Sequence, residues 1–141
     1  MATFNKYQNG VEVLVTTANI STDGFKFALT NTAPNAATHT VLADINEIAA
    51  GNGYTAGGPS VSVTGSETGG TYTLAQDATV TITASGGSIG PLRYVVFYDD
   101  TDTGDPLLSS FDYGPSITIN DGETLDIGAA RKIFTGREKA R

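Results

Sequence analysis

The stretch LRYVVFYD, residues 92–99, decides the fold class. Alternation puts Leu92, Tyr94, Val96 and Tyr98 on one side and Val95 and Phe97 on the other. Apolar and aromatic residues on both sides of a short run, with no helical spacing, predict a strand covered on both faces. Such a strand sits in the middle of a sheet.

Working outward, the neighbouring segments have the same character. Short β-prone runs recur at 61–64 (VSVT), 71–74 (TYTL), 79–84 (TVTITA), 107–114 (LLSSFDYG), 116–119 (SITI) and 124–127 (TLDI). Turn residues separate them: Gly69-Gly70, Gly86-Gly87, Gly104-Asp105-Pro106, Gly114-Pro115 and Asp121-Gly122. Regularly spaced short strands of this kind predict an all-β domain, an antiparallel sandwich or jelly-roll-like fold. Residues 116–127 read as a hairpin, with Ile117 and Ile119 leading in and Leu125 and Ile127 leading out. FKFALTNT (25–32) alternates Phe25, Phe27 and Leu29 on one face and predicts another strand.

The first third is less regular. Residues 4–17 fit either a helical stripe through Phe4, Tyr7, Val11, Leu14 and Val15, with Gly10 against it, or a strand through Val11, Val13 and Val15. A short helical element is expected near 4–10 or in VLADINEI (41–48), where Val41, Ile45 and Ile48 fall on one side of a helical turn. AAGNGYTAGG (49–58) is a glycine-rich connection of the length that is usually functional or mobile.

Composition narrows the function. The 141 residues suit one domain with a core of its own. With no cysteine there is neither a disulfide nor a thiolate metal site. Polar residues interrupt residues 1–20 before a secretory apolar run can form, and no apolar stretch reaches the roughly 20 residues of a membrane span. Charge is unevenly divided. Residues 1–130 carry three basic side chains against fourteen acidic ones, a net −11, whereas RKIFTGREKAR (131–141) carries five against one, a net +4. The reading is a β domain over 1–130 followed by a basic C-terminal tail. The acidic body disfavours nucleic acid. The tail, with Arg131, Lys132, Arg137, Lys139 and Arg141, is the candidate partner-binding segment for an acidic neighbour.

No catalytic constellation stands out. His39, the one histidine, lies in a polar Thr-His-Thr stretch with no nucleophile motif around it, and it reads as a loop residue. One histidine without cysteine does not fill a zinc shell. In DDTDTGD (99–105), Asp100, Asp102 and Asp105 offer the hard oxygen ligands calcium prefers. That loop lacks the closing glutamate of a full calcium motif and reads first as a solvated turn. A glycosidase pair among Glu47, Glu67, Asp112 and Asp126 has no local signature. Tyr54, Tyr72, Tyr94, Tyr98 and Tyr113 are candidate sugar-stacking platforms, though core packing accounts for most of them more simply. The expectation is no enzyme, no cofactor and no metal.

Three stretches resemble a recurrent family of small virion proteins of tailed bacteriophages: MATFNKYQNGVEVL, FKFALTNTAPNAATHTVLADINEIAAGNGYTAGG, and TASGGSIGPLRYVVFYDDT with DYGPSITINDGETLDI. Their order and spacing agree along most of residues 1–127. The resemblance implies a structural component of the particle and carries over no active-site residues. YDDTDTGDP is more acidic than the family pattern, and Gly128-Ala129-Ala130 leads into the basic end where an apolar strand is usual. The expectation is a capsid decoration, or cement, protein: made in the host cytoplasm, carried on the capsid surface and bound to the major capsid protein as a homo-oligomer. A trimer is the favoured symmetry. Loop 49–58 and tail 131–141 are the expected contact segments, and neither nucleic acid nor membrane is an expected partner. The alternative is a tail-associated or adsorption module that binds a host-surface ligand.

Overall fold

A computed structural model of the chain describes residues 3–7, 23–101, 104–127 and 132–135. The described residues are built almost wholly of antiparallel strands, so the chain is all-β. The main sheet has five strands in the order β1-β8-β7-β2-β3, formed by Thr3–Lys6, Leu107–Ile119, Ile89–Asp99, Phe25–Thr30 and Ser60–Val61 respectively. A second sheet, β10-β5-β4, joins Lys132–Thr135, Thr71–Gln76 and Val63–Thr68. Strands β6 (Val80–Thr83) and β9 (Thr124–Ile127) form a separate pair.

As expected, β7 is central, hydrogen-bonded to β2 on one side and β8 on the other. Val95 and Phe97 face a large core shared with Phe25, Phe27, Leu29, Leu108 and Phe111. Phe97 stacks on Phe25 at 5.3 Å between ring centroids and meets Phe27 at 5.9 Å. Ile82, Leu125 and Ile127 bring the β6–β9 pair into the same core. Val96 and Tyr98 face the opposite way, into a smaller core with Tyr7, Ala28, Ile45 and Leu107. At about 1.5–3 kcal/mol for each fully buried large apolar side chain, these two layers supply the main drive to fold.

Four details depart from the sequence reading. Leu92 joins the Val95 side rather than the Tyr94 side, because the β7–β8 register shifts between Leu92 and Tyr94 and a bulge reverses the alternation there. Residues 116–127 do not make a hydrogen-bonded hairpin. Ile117 and Ile119 pair with Leu92 and Ile89 on β7, while β9 crosses to pair with β6. The turn is captured by that partner: the Ala84 amide donates to the Glu123 carbonyl at 2.9 Å and the Gly122 amide to the Ala84 carbonyl at 2.8 Å. Residues 107–114 and 116–119 run together as the single strand β8. The helical element is one 3-10 turn, Leu42–Asp44, and Ile45 and Ile48 diverge from it, one into each core. Of the helical alternative near 4–10, residues 4–6 lie in strand β1, and 8–10 fall outside the described residues.

Candidate functional site

The loop 49–58 is bolted to the main sheet. Glu47 accepts the Tyr54 hydroxyl and, on the same carboxylate oxygen, the Gly57 amide at 2.7 Å. The Tyr54 hydroxyl also accepts the Leu29 amide of β2 at 3.0 Å, and the Tyr98 hydroxyl of β7 donates to the Gly57 carbonyl at 2.6 Å. Burial first, and then the neighbouring Glu47 carboxylate, push the Tyr54 hydroxyl well above the ordinary tyrosine range. Tyr54 and Tyr98 are therefore core anchors rather than exposed platforms. Gly51, Asn52 and Gly53 remain exposed at the loop tip.

The acidic loop is held in the same way. The Asp100 carboxylate pairs with Lys26 at 3.3 Å, and the Asp100 amide donates to the Gly24 carbonyl at 2.8 Å. Asp105 takes a left-handed backbone at φ 54°, and burial, followed by the charge of Asp100, raises its carboxyl above the usual range. Asp102 falls outside the described residues. No group of three or more histidine, cysteine or acidic side chains able to hold a metal occurs among the described residues. The His39 Nδ1 accepts the Asn35 amide at 3.1 Å, a turn-stabilising role. Of the basic end, Lys132 lies in β10, paired antiparallel with β5, while Arg131, Arg137, Lys139 and Arg141 fall outside the described residues. Of the other carboxylates considered, Glu67 accepts the Gly70 amide at its own turn and Asp126 accepts the Thr81 hydroxyl across the β6–β9 pair.

One concave site brings together residues that the sequence leaves scattered. It is a cleft of about 280 Å³ on the Val96 side of the main sheet. Its floor is Tyr94 of β7 with Ser110 and Asp112 of β8, residues that the register sets on neighbouring rungs: Tyr94 opposite Asp112 and Val96 opposite Ser110. Tyr7, at the end of β1, forms one wall, its amide bonded to the Leu108 carbonyl at 3.0 Å. Ala33, Pro34 and Ala36 form the other. The Asn35 side chain stiffens this second wall by accepting the amides of Ala37 at 3.0 Å and Thr38 at 3.1 Å.

Two features set the chemistry of the cleft. The bulge after Leu92 lets Arg93 turn back toward Asp112, which it grips through two bonds, Nε to Oδ1 at 2.7 Å and Nη2 to Oδ2 at 3.1 Å. The guanidinium also lies 5.2 Å from the centroid of the Tyr94 ring. The Arg93 bonds, followed by the Gly114 amide, hold the Asp112 carboxyl below the usual carboxylate range, so it stays an ionised acceptor. Second, the Tyr7 hydroxyl is buried and meets no hydrogen-bond partner among the described residues. Burial raises it far above the ordinary tyrosine range, leaving a neutral donor. The Ser110 hydroxyl is near enough to temper that rise, yet the two do not meet hydrogen-bond geometry.

Sequence reasoning reached Tyr94 and Asp112 separately and missed Tyr7, Ser110 and Arg93. The available signal was Arg93, the one basic residue between Lys26 and the C-terminal end.

No protein-family model matches this sequence, and no curated protein or solved structure matches it either.

Proposed function

We propose that the chain is a structural protein of a tailed-phage particle, a capsid decoration protein that binds the outer surface of the assembled head through the major capsid protein. The family resemblance rests on the quoted stretches alone. The observation that carries the reading is the separation of charge: a body of net −11 ending in eleven residues of net +4. An acidic body keeps particles soluble and mutually repulsive. The basic end includes β10, an edge strand, and offers a short cationic segment to an acidic neighbour. A protein that binds only the assembled shell stabilises it by mass action. Cyclic association, a trimer first, would match the local axes of a shell. A two-layer sandwich is the finer fold reading, supported by Ile82, Leu125 and Ile127 packing on the Phe97 side of the main sheet.

A second reading, a tail-associated module for a host-surface ligand, draws support from the Tyr7–Asp112 cleft. Counting copies of the protein in purified particles, with heads and tails separated, decides between the two. Decoration predicts hundreds of copies in the head fraction. A handful, confined to tails, would sink it in favour of the second reading.

A further inference from the structure

We propose that the cleft between Tyr7, Tyr94 and Asp112 is a binding subsite for one neutral, hydroxyl-rich ring, a single sugar residue. The assignment concerns the cleft itself and holds for a head or a tail location.

The argument begins with the Tyr7 hydroxyl. A buried hydroxyl without a partner costs free energy that phenylalanine at the same position would not. It is therefore a standing cost to the fold among the described residues; the hydroxyl is sealed from solvent, so a ligand oxygen accepts its proton, and removes that cost, once the side chain turns into the cleft. Ser110, also buried in the cleft floor, adds a rotatable hydroxyl that both donates and accepts.

The charges select the ligand class. Asp112 and Arg93 neutralise each other through paired bonds, so the cleft offers neither a bare anion nor a bare cation. A cationic ligand would have to compete with Arg93 for the carboxylate. An anionic ligand would meet that carboxylate within a body of strongly negative net charge. A neutral hydroxyl instead donates to the Asp112 Oδ2 lone pair left free by Arg93, a charge-assisted bond that leaves the ion pair intact. The other wall, Pro34 with the methyl groups of Ala33 and Ala36, is apolar and suits the C–H face of a ring.

Size points the same way. Ligand pockets span about 300–1,000 Å³, and a cleft of about 280 Å³ lies just below that range. It has room for one substituted ring and not for a run of them. Affinity from a site this small falls in the millimolar range, the level at which repeated copies on a particle gain by avidity.

The test uses the full chain, isotope-labelled, titrated with the methyl glycosides of glucose, galactose and N-acetylglucosamine, and with glucuronic acid and glucosamine as charged counterparts. The expected result is amide shifts at Tyr94, Ser110, Asp112 and residues 33–36 with at least one neutral sugar and weaker shifts with the charged pair. Tyr7→Phe supplies the discriminating readout. It should melt at the same temperature or higher, yet bind the sugar about fivefold to tenfold more weakly. Asp112→Asn should weaken binding as well. Absence of shifts in the cleft with every neutral sugar would overturn the proposal. So would tighter binding of a charged sugar, or unchanged affinity in Tyr7→Phe.

Discussion

The hydroxyl of Tyr98 donates to the carbonyl of Gly57 at 2.6 Å, tying the central strand to a loop 41 residues earlier in the chain. Loop 49–58 therefore depends on the sheet for its shape. Tyr98→Phe leaves that carbonyl without its partner and should destabilise the protein by about 1–2 kcal/mol. Urea unfolding measures the loss. Hydrogen exchange should show the Gly57 and Gly58 amides losing protection ahead of the β7 amides, and equal loss in both would refute the idea of a locally pinned loop.

Gly58 makes the closest approach in the same loop. A Cβ there would sit 1.7 Å from the Phe27 carbonyl oxygen, on a backbone with φ +84°. Backbone cannot retreat as a side chain can, so Gly58→Ala should cost about 3–5 kcal/mol, at the severe end for one substitution. Gly69→Ala is the control, since its φ of +58° is left-handed but the surrounding space is open. It should cost only about 1–2 kcal/mol. Comparable melting temperatures for the two variants would contradict the packing argument.

The Arg93–Asp112 pair predicts an acid dependence of definite sign. The folded Asp112 carboxyl is held below its unfolded value, chiefly by Arg93. Its contribution is then fully present above the unfolded value of about 3.9 and is lost as pH falls through the folded one. Asp112→Asn should lower stability at neutral pH, and the gap to the parent protein should close below the carboxylate range. Unfolding curves across pH 2–7 test it, and a constant gap would show that the carboxylate charge is not what matters.

Truncation after Thr135 keeps β10 while removing Arg137, Lys139 and Arg141. The truncated chain should melt within about 2 °C of the full one, because the strand pairing is retained. Binding to isolated heads should weaken markedly, and in the full chain it should fall as salt rises. Retained, salt-insensitive binding by the truncated chain would remove the basic end from the interface.

The sequence disclosed what depends on local pattern and concealed what depends on partner choice. Alternation in 92–99 identified a strand covered on both faces, and FKFAL showed its inward face through Phe25, Phe27 and Leu29. Leu92 departs from the alternation because a bulge is set by the pairing strand and not by the residues it displaces. The 116–127 hairpin failed for a related reason. Leu125 and Ile127 fit an apolar face equally well on β8 or β6, and the Ala84 backbone bonds to the turn go with β6. Ile45 and Ile48 share a side of an ideal helical turn, but a single 3-10 turn does not carry both. The cleft was the least legible feature. Its residues come from four separate segments, and a buried hydroxyl such as that of Tyr7, unpartnered among the described residues, exists only once the chain is folded around it.

The pairing of β1 with residues 109–112 of β8 has a consequence for biosynthesis. β1 is the first described strand to leave the ribosome, and its partner follows roughly a hundred residues later. At about 5–20 residues per second, the first strand waits for roughly 5–20 s before it can pair. β2 likewise waits for β7, which emerges shortly before that partner, and until β7 arrives the Phe25, Phe27 and Leu29 face lacks its central neighbour. Such long-range closure makes for slow folding of a nascent chain that is open to association in the meantime. Expression yield should thus respond more to temperature and to chaperone supply than the stability of the finished fold alone would dictate.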